Sequence, residues 1–333
     1  MVFVVCGSAY GILSEDVQQC GLSNAERLAA RAAVQGKAEN DEQEDCCMNG
    51  NGVSAVKKRR QGIVFALAIL PAIALGVSAM VYTGVSPVMW GQQIAAYAVF
   101  AVCAVLLRRA ARRVPDALLA AVLLAFLAVS LFGAGAGGAK RWVKLALFNV
   151  NAAQLVLPAL LVMLFRMRKP EIPLLCAAAV LCVQPDFSQL AALAAAALPV
   201  LWEKRKAFPA RLCAALLLVL AALCACIPVT IEPVPYCEGV LSLLGAQSPA
   251  LFVSGAAALA LIPGFWAYRF LKTKNCRMLS LAVYYTAVIL FGLTGEYPVP
   301  FMGFGLSPVA GWWLAGLVMT ADAGKSTEKR WNC

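Results

Sequence analysis

From residue 61 to residue 320 the chain is a succession of apolar stretches of about twenty residues, and most of its charges are gathered into short Lys and Arg clusters between them. A stretch of that length spans the roughly 30 Å hydrocarbon layer of a membrane as a helix. The pattern predicts an all-α polytopic membrane protein of about ten transmembrane helices. The net charge of +11 does not point to nucleic acid, because the basic residues do not line one soluble face.

The basic clusters set an orientation. Lys57-Lys58-Arg59-Arg60 stands just before segment one, about 61–83, and the positive-inside rule puts its start in the cytoplasm. Segment two, about 89–107, ends at Arg108, Arg109, Arg112 and Arg113. Segment three covers about 115–134, with Pro115 in its first turn, and segment four, about 145–165, ends at Arg166, Arg168 and Lys169. The arms 171–184 and 188–202 each reach only about 22 Å at about 1.5 Å per residue, so they read as shallow or tilted helices meeting at Gln184-Pro185-Asp186. Segment seven is about 210–228. Segment eight, about 248–270, opens on the N-cap Ser248 and Pro249; segment nine is about 278–294 and segment ten about 307–320. Both termini then lie inside. Every Lys and Arg from residue 57 onward lies inside too, except Lys140, Arg141 and Lys144.

Residues 1–60 read as a disordered cytoplasmic extension with a polar stretch at 36–55, residues 61–320 as the membrane domain, and 321–333 as a cytoplasmic tail. The apolar start, Met1 to Leu13, has no basic region before it and is too short to span. Most of the thirteen Cys fall inside apolar runs, where a thiol behaves as a small hydrophobe. With no His and no paired Cys-x-x-Cys motif, no structural zinc site is indicated. Only Cys237 is placed in an outer loop, so no disulfide framework follows.

The outer side therefore carries Lys140, Arg141 and Lys144 together with the carboxylates Asp186, Glu232, Glu238 and Glu296. Charges at membrane depth are expensive and are kept for pairing or for ligand contact. Helix breakers accompany them at Gln184-Pro185-Asp186-Phe187, at Pro233 and Pro235 before Glu238, and at 298–305 (PVPFMGFG). Broken helices at that depth line cavities or are buried in protein.

These motifs resemble the SEDS family (shape, elongation, division and sporulation) of FtsW, RodA and SpoVE proteins. The stretch 138–142 (GAKRW) is similar to the family's GARRW motif, 184–187 (QPDF) to QPDxG, and 298–305 to PLPFISYGG. There are departures. Asn151-Ala152-Ala153-Gln154 stands for QPSE, and Pro158 replaces a family Lys. Ser188, Gly303, Phe304 and Leu306 replace motif residues. The long outer loop between helices seven and eight is cut down to about 230–247.

The resemblance implies a peptidoglycan glycosyltransferase in cell division or elongation. It would polymerise lipid II, an undecaprenyl-pyrophosphate-linked precursor, at the outer face of the bacterial cytoplasmic membrane beside a class B penicillin-binding protein. It also implies site roles: Glu238 in the place of the family's catalytic Asp, with Lys140, Arg141, Trp142, Asp186, Glu296 and Ser307 as substrate contacts. No metal ligands are assigned; Asp186 and Glu296 offer oxygen atoms for a divalent cation. Two other functions follow from the same residues: a noncatalytic scaffold of a divisome or elongasome, and a flippase for a lipid-linked precursor.

Overall fold

The computed structural model describes residues 60–133, 135, 138–145, 148–229 and 232–322. The extension before residue 60 and the tail after 322 lie outside the described residues. Helix α1 (60–67) leads through a short turn into α2 (Leu70–Tyr82), and α3 (Pro87–Leu106), α4 (Arg108–Ala111) and α5 (Asp116–Val129) follow. A hairpin of strands β1 (Trp142–Leu145) and β2 (Phe148–Asn151) then runs directly into α6 (Ala152–Leu164). The remaining elements are α7 (Glu171–Val183), α8 (Phe187–Glu203), α9 (Phe208–Ala225), the short α10 (Val240–Gln247), α11 (Pro249–Thr273), α12 (Cys276–Gly292) and α13 (Ser307–Asp322).

Each expected apolar segment is helical, but two local expectations are corrected. Segment four begins at Ala152 rather than near 145, because residues 142–151 pair as an antiparallel hairpin with Trp142 opposite Asn151 and Val143 opposite Val150. An apolar count does not distinguish the two short strands from the helix that follows them. The loop near 230–247 is also shorter than it reads, since α10 occupies its second half.

Length and burial divide the helices. Among the described residues four spans are long and apolar enough to cross a membrane by themselves: Arg60–Tyr82, Pro87–Leu106, Phe208–Ala225 and Pro249–Thr273. They leave large apolar side chains such as Val102, Val105, Leu218 and Val253 exposed, which water penalises and lipid does not. Helix α6 is the opposite case. All of its side chains but that of Leu155 are buried, and α13, α5, α8 and α12 pack around it. A helix apolar all round belongs in a core. Its N-terminus is capped by Asn151, whose Oδ1 accepts the Gln154 N–H at 3.1 Å.

The two ends of the bundle differ. At one end Arg166 donates to Asp116 Oδ1 at 3.1 Å and to the Val318 carbonyl at 2.5 Å, tying α5, α6 and α13. At the other end the hairpin, the α7–α8 turn, the loop before α10 and the loop before α13 meet.

Candidate functional site

Arg141 lies where these connections converge. Gly138, at φ +87°, takes a left-handed conformation that glycine adopts without strain, and the chain turns there into the hairpin. The Lys140 N–H reaches the Gln184 carbonyl at 3.4 Å, and the Arg141 carbonyl accepts the Ala152 N–H at 3.2 Å. The backbone of Arg141 is thereby stitched between the start of α6 and the α7–α8 turn.

Its side chain is buried against that turn. Arg141 Nε is 3.6 Å from Asp186 Oδ2, and Nη2 donates to the Pro185 carbonyl at 3.2 Å. The other carboxylate oxygen of Asp186 accepts from Ser188 Oγ at 3.0 Å. Gln184, fully buried, fixes the turn by donating to the Leu127 carbonyl and to Ser130. The guanidinium also lies 5.5 Å from the ring centre of Tyr297, within cation–π range.

Arg141 forms part of the wall of a cavity of about 300 Å³, lined also by Phe187, Cys224, Phe291, Glu296 and Tyr297. A fixed cation, an exposed carboxylate and a phenol share one recess of mixed polar and apolar wall. Burial raises the Tyr297 hydroxyl above its ordinary pKa, with the charge of Arg141 opposing, so it stays a hydrogen-bond donor.

The loop carrying Glu238 docks on the loop before α13. The Val299 N–H meets the Cys237 carbonyl and the Phe304 N–H the Tyr236 carbonyl, each at 3.0 Å. Gly303 permits this approach, because a Cβ there would strike the Cys237 carbonyl. Phe301, at φ +67°, is held by Gln93, whose Nε2 donates to its carbonyl at 2.6 Å. Glu238 is 9% exposed, and its Oε2 accepts the Val234 N–H at 2.8 Å. Burial pushes its carboxyl above the usual range, against the pull of the Val234 N–H, its own backbone N–H, the Cys237 thiol and the charge of Arg141.

The structure thus brings Arg141, Asp186 and Glu296 to one recess, with Asp186 acting behind the wall as the partner of Arg141. Lys140 is exposed beside it, and Trp142 is half-buried in β1. Ser307 is buried away from the recess, where its Oγ accepts the Asn151 N–H at 2.8 Å and ties the starts of α6 and α13 together. Glu238 does not line the recess, although it feels the charge of Arg141. Tyr297 and Phe187 went unnoticed as wall residues; both adjoin acids named from the sequence, which was the available signal. Among the described residues no cluster of three or more Cys, Asp or Glu side chains stands ready to hold a metal ion.

No protein-family model matches the sequence, and no curated protein is significantly similar to it. Solved structures do match. The rod shape determining protein RodA of Thermus thermophilus is 19% identical with a TM-score of 0.54, over 80% of this chain and 97% of that one. A point variant of that protein matches at 17% identity and TM-score 0.52, over 80% and 98%. A chain of a peptidoglycan synthase complex that coordinates polymerization and crosslinking matches at 17% identity and TM-score 0.53, over 79% and 98%. The chain is a multi-pass membrane protein with the fold of RodA, the SEDS-type fold that its motifs resemble.

Proposed function

We propose that this chain is a divergent SEDS-type cell-wall polymerase that joins lipid II units at the outer face of the cytoplasmic membrane. The observation that carries the proposal is Arg141, a cation held by Asp186 and the Pro185 carbonyl at the wall of a recess on the loop end of the bundle. A guanidinium suits pyrophosphate oxygens because its planar fork donates parallel hydrogen bonds. The recess is large enough for the phosphates and the first sugar atoms, and Lys140 stands exposed beside its arginine neighbour.

In the reaction an acceptor sugar hydroxyl attacks the anomeric carbon of the donor. The bond from that carbon to the pyrophosphate oxygen breaks, and its electrons leave with the pyrophosphate. Arg141 and Lys140 stabilise the departing charge. Glu238 takes the hydroxyl proton; burial raises its basicity, and positioned general bases of this kind contribute about 10² to 10⁴ in rate. The match to a chain of a peptidoglycan synthase complex supports a class B penicillin-binding protein as partner. The test is purified protein with its cognate penicillin-binding protein and lipid II, scored for glycan polymer on a gel.

A scaffold role has one observation in its favour: the Glu238 carboxylate is engaged by its own loop and stands outside the wall of the recess. In that case the wild type makes no polymer, and its partner still binds.

A further inference from the structure

The motif-like stretch before α13 begins at Pro298, so the resemblance assigns nothing to Tyr297, the residue just before it. The structure nevertheless holds that tyrosine on both sides. At the end of α12 the Thr294 hydroxyl donates to the Phe291 carbonyl at 2.7 Å and accepts the Glu296 N–H at 3.3 Å, which closes a tight turn. Beyond it Pro298 has its φ fixed by its ring, and the Val299 N–H is tied to the Cys237 carbonyl. The Tyr297 ring packs edge-to-face on Phe291 with 5.6 Å between centres, and Phe291 packs likewise on Phe187 at 5.5 Å. All three rings line the recess.

Arg141 lies over this ring, its Cζ 5.5 Å from the centre, and its donors are partly committed. Nε faces Asp186 and Nη2 donates to the Pro185 carbonyl, so a ligand meets Nη1 and only part of Nη2. A diphosphate that links a lipid to a sugar presents non-bridging oxygens on both phosphorus atoms, more than that one edge serves. The phenol stands beside the guanidinium in the same wall, and burial keeps it a neutral donor. We propose that Tyr297 completes a diphosphate-binding site with Arg141: its ring steadies the guanidinium, and its hydroxyl donates to the phosphate oxygens that Arg141 leaves unserved.

The assignment rests on the reading of the recess as the seat of a lipid-linked diphosphate, and it adds a binding residue to that site. Ring and hydroxyl contribute differently. A cation over an aromatic face gains about 0.5–2 kcal/mol, according to how far it is desolvated. A hydrogen bond to a charged group is worth about 1.5–3 kcal/mol, or about tenfold and more in affinity. Tyr297→Phe removes only the second of these and keeps the packing on Phe291, whereas Tyr297→Leu removes both. An aromatic ring in a recess also serves to stack on a sugar face, and that use is separated by a ligand that has the diphosphate but no sugar.

The test is the affinity of full-length wild type, Tyr297→Phe and Tyr297→Leu in detergent for undecaprenyl pyrophosphate, undecaprenyl monophosphate and lipid II. Thermal unfolding checks that each variant is folded. Tyr297→Phe should bind undecaprenyl pyrophosphate and lipid II each about tenfold more weakly, or worse, and should change monophosphate binding far less. Tyr297→Leu should lose more than Tyr297→Phe; equal losses would refute the part given to the ring. Undiminished binding of undecaprenyl pyrophosphate by Tyr297→Phe would overturn the proposal, as would a loss confined to lipid II, which would make Tyr297 a sugar contact. Wild type that binds none of the three would overturn it as well. Wild type that binds undecaprenyl pyrophosphate through Tyr297, yet makes no glycan polymer with its partner bound, would refute the polymerase reading and leave the diphosphate site standing.

Discussion

Arg141 Nε lies 3.6 Å from Asp186 Oδ2, and the two side chains are only 6% and 1% exposed. A cation this buried keeps its place because its partner is equally buried; the Pro185 carbonyl accepts from Arg141 and Ser188 donates to Asp186, while Arg141 Nε and Asp186 Oδ2 face each other without a hydrogen bond. Removing one member of such a pair strands the other charge and typically costs about 3–5 kcal/mol. Asp186→Asn and Arg141→Met should each lower thermal stability in detergent by that order. The double variant should lose clearly less than the sum of the two, because no charge is stranded. Additive losses would mean that the pair is not coupled.

The two adjacent cations should separate in binding. Arg141→Lys keeps the charge but loses the fork that serves Asp186 and a phosphate together, so lipid II affinity should fall by about tenfold, or about 1.4 kcal/mol. Lys140→Ala removes an exposed charge and should cost less than that. The reverse ranking in a lipid II binding assay would move the phosphate contact to Lys140.

Gln93 reaches from α3 to the Phe301 carbonyl, a buried acceptor in the loop that supports Glu238. Gln93→Leu leaves that carbonyl without its partner, at a cost of about 1–3 kcal/mol. Amide exchange of residues 299–304 should quicken more than that of α6. Unchanged protection of the loop would show that Gln93 does not hold it.

Most of the helical order was legible because membrane helices announce themselves by length and their cytoplasmic ends by Lys and Arg. Arg141 and Asp186 could be named singly, as charges against the trend, but their pairing depends on the hairpin that stitches Lys140 to Gln184 and Arg141 to Ala152. That hairpin was hidden because Val143, Leu145, Phe148 and Val150 add to an apolar count whatever their period. The sequence reads Ser307 as a substrate contact, and in the structure its hydroxyl accepts the Asn151 N–H; a hydroxyl that binds a ligand and one that ties two helices look alike in a sequence. The separation of Glu238 from the recess wall is likewise set by long-range contacts, through Val299 and Phe304.

Orientation can be read with cysteine labelling, and the structure selects the reporter. Cys237 lies in the loop before α10, but burial raises its thiol and the Phe304 carbonyl engages it, so it reacts slowly from either side. Cys226 is exposed at the same end of the bundle. A variant retaining Cys226 alone should label with an impermeant maleimide in intact cells, whereas one carrying only Lys206→Cys should label only after permeabilisation. The opposite pattern would invert the topology.

Burial of Glu238 predicts the sign of two pH effects. Its carboxyl is raised in the native state, so the base form accumulates only above the ordinary carboxylate range, and polymerisation should rise with pH through that raised value. The stability supplied by the protonated carboxyl is complete below the unfolded-state pKa and is lost as pH rises through the native one. Glu238→Gln should therefore gain stability relative to wild type across that window. No change in their difference with pH would mean that the carboxyl is not perturbed.

The central claim is that Glu238 serves as the base of a polymerase whose substrate is held at Arg141. Wild type, Glu238→Gln and Glu232→Gln, each with the cognate penicillin-binding protein, are incubated with lipid II, and glycan polymer is resolved on a gel. Wild type and Glu232→Gln should build polymer, and Glu238→Gln should build none while still binding lipid II and its partner. Full polymerisation by Glu238→Gln, or none by the wild type with its partner bound, would contradict the account.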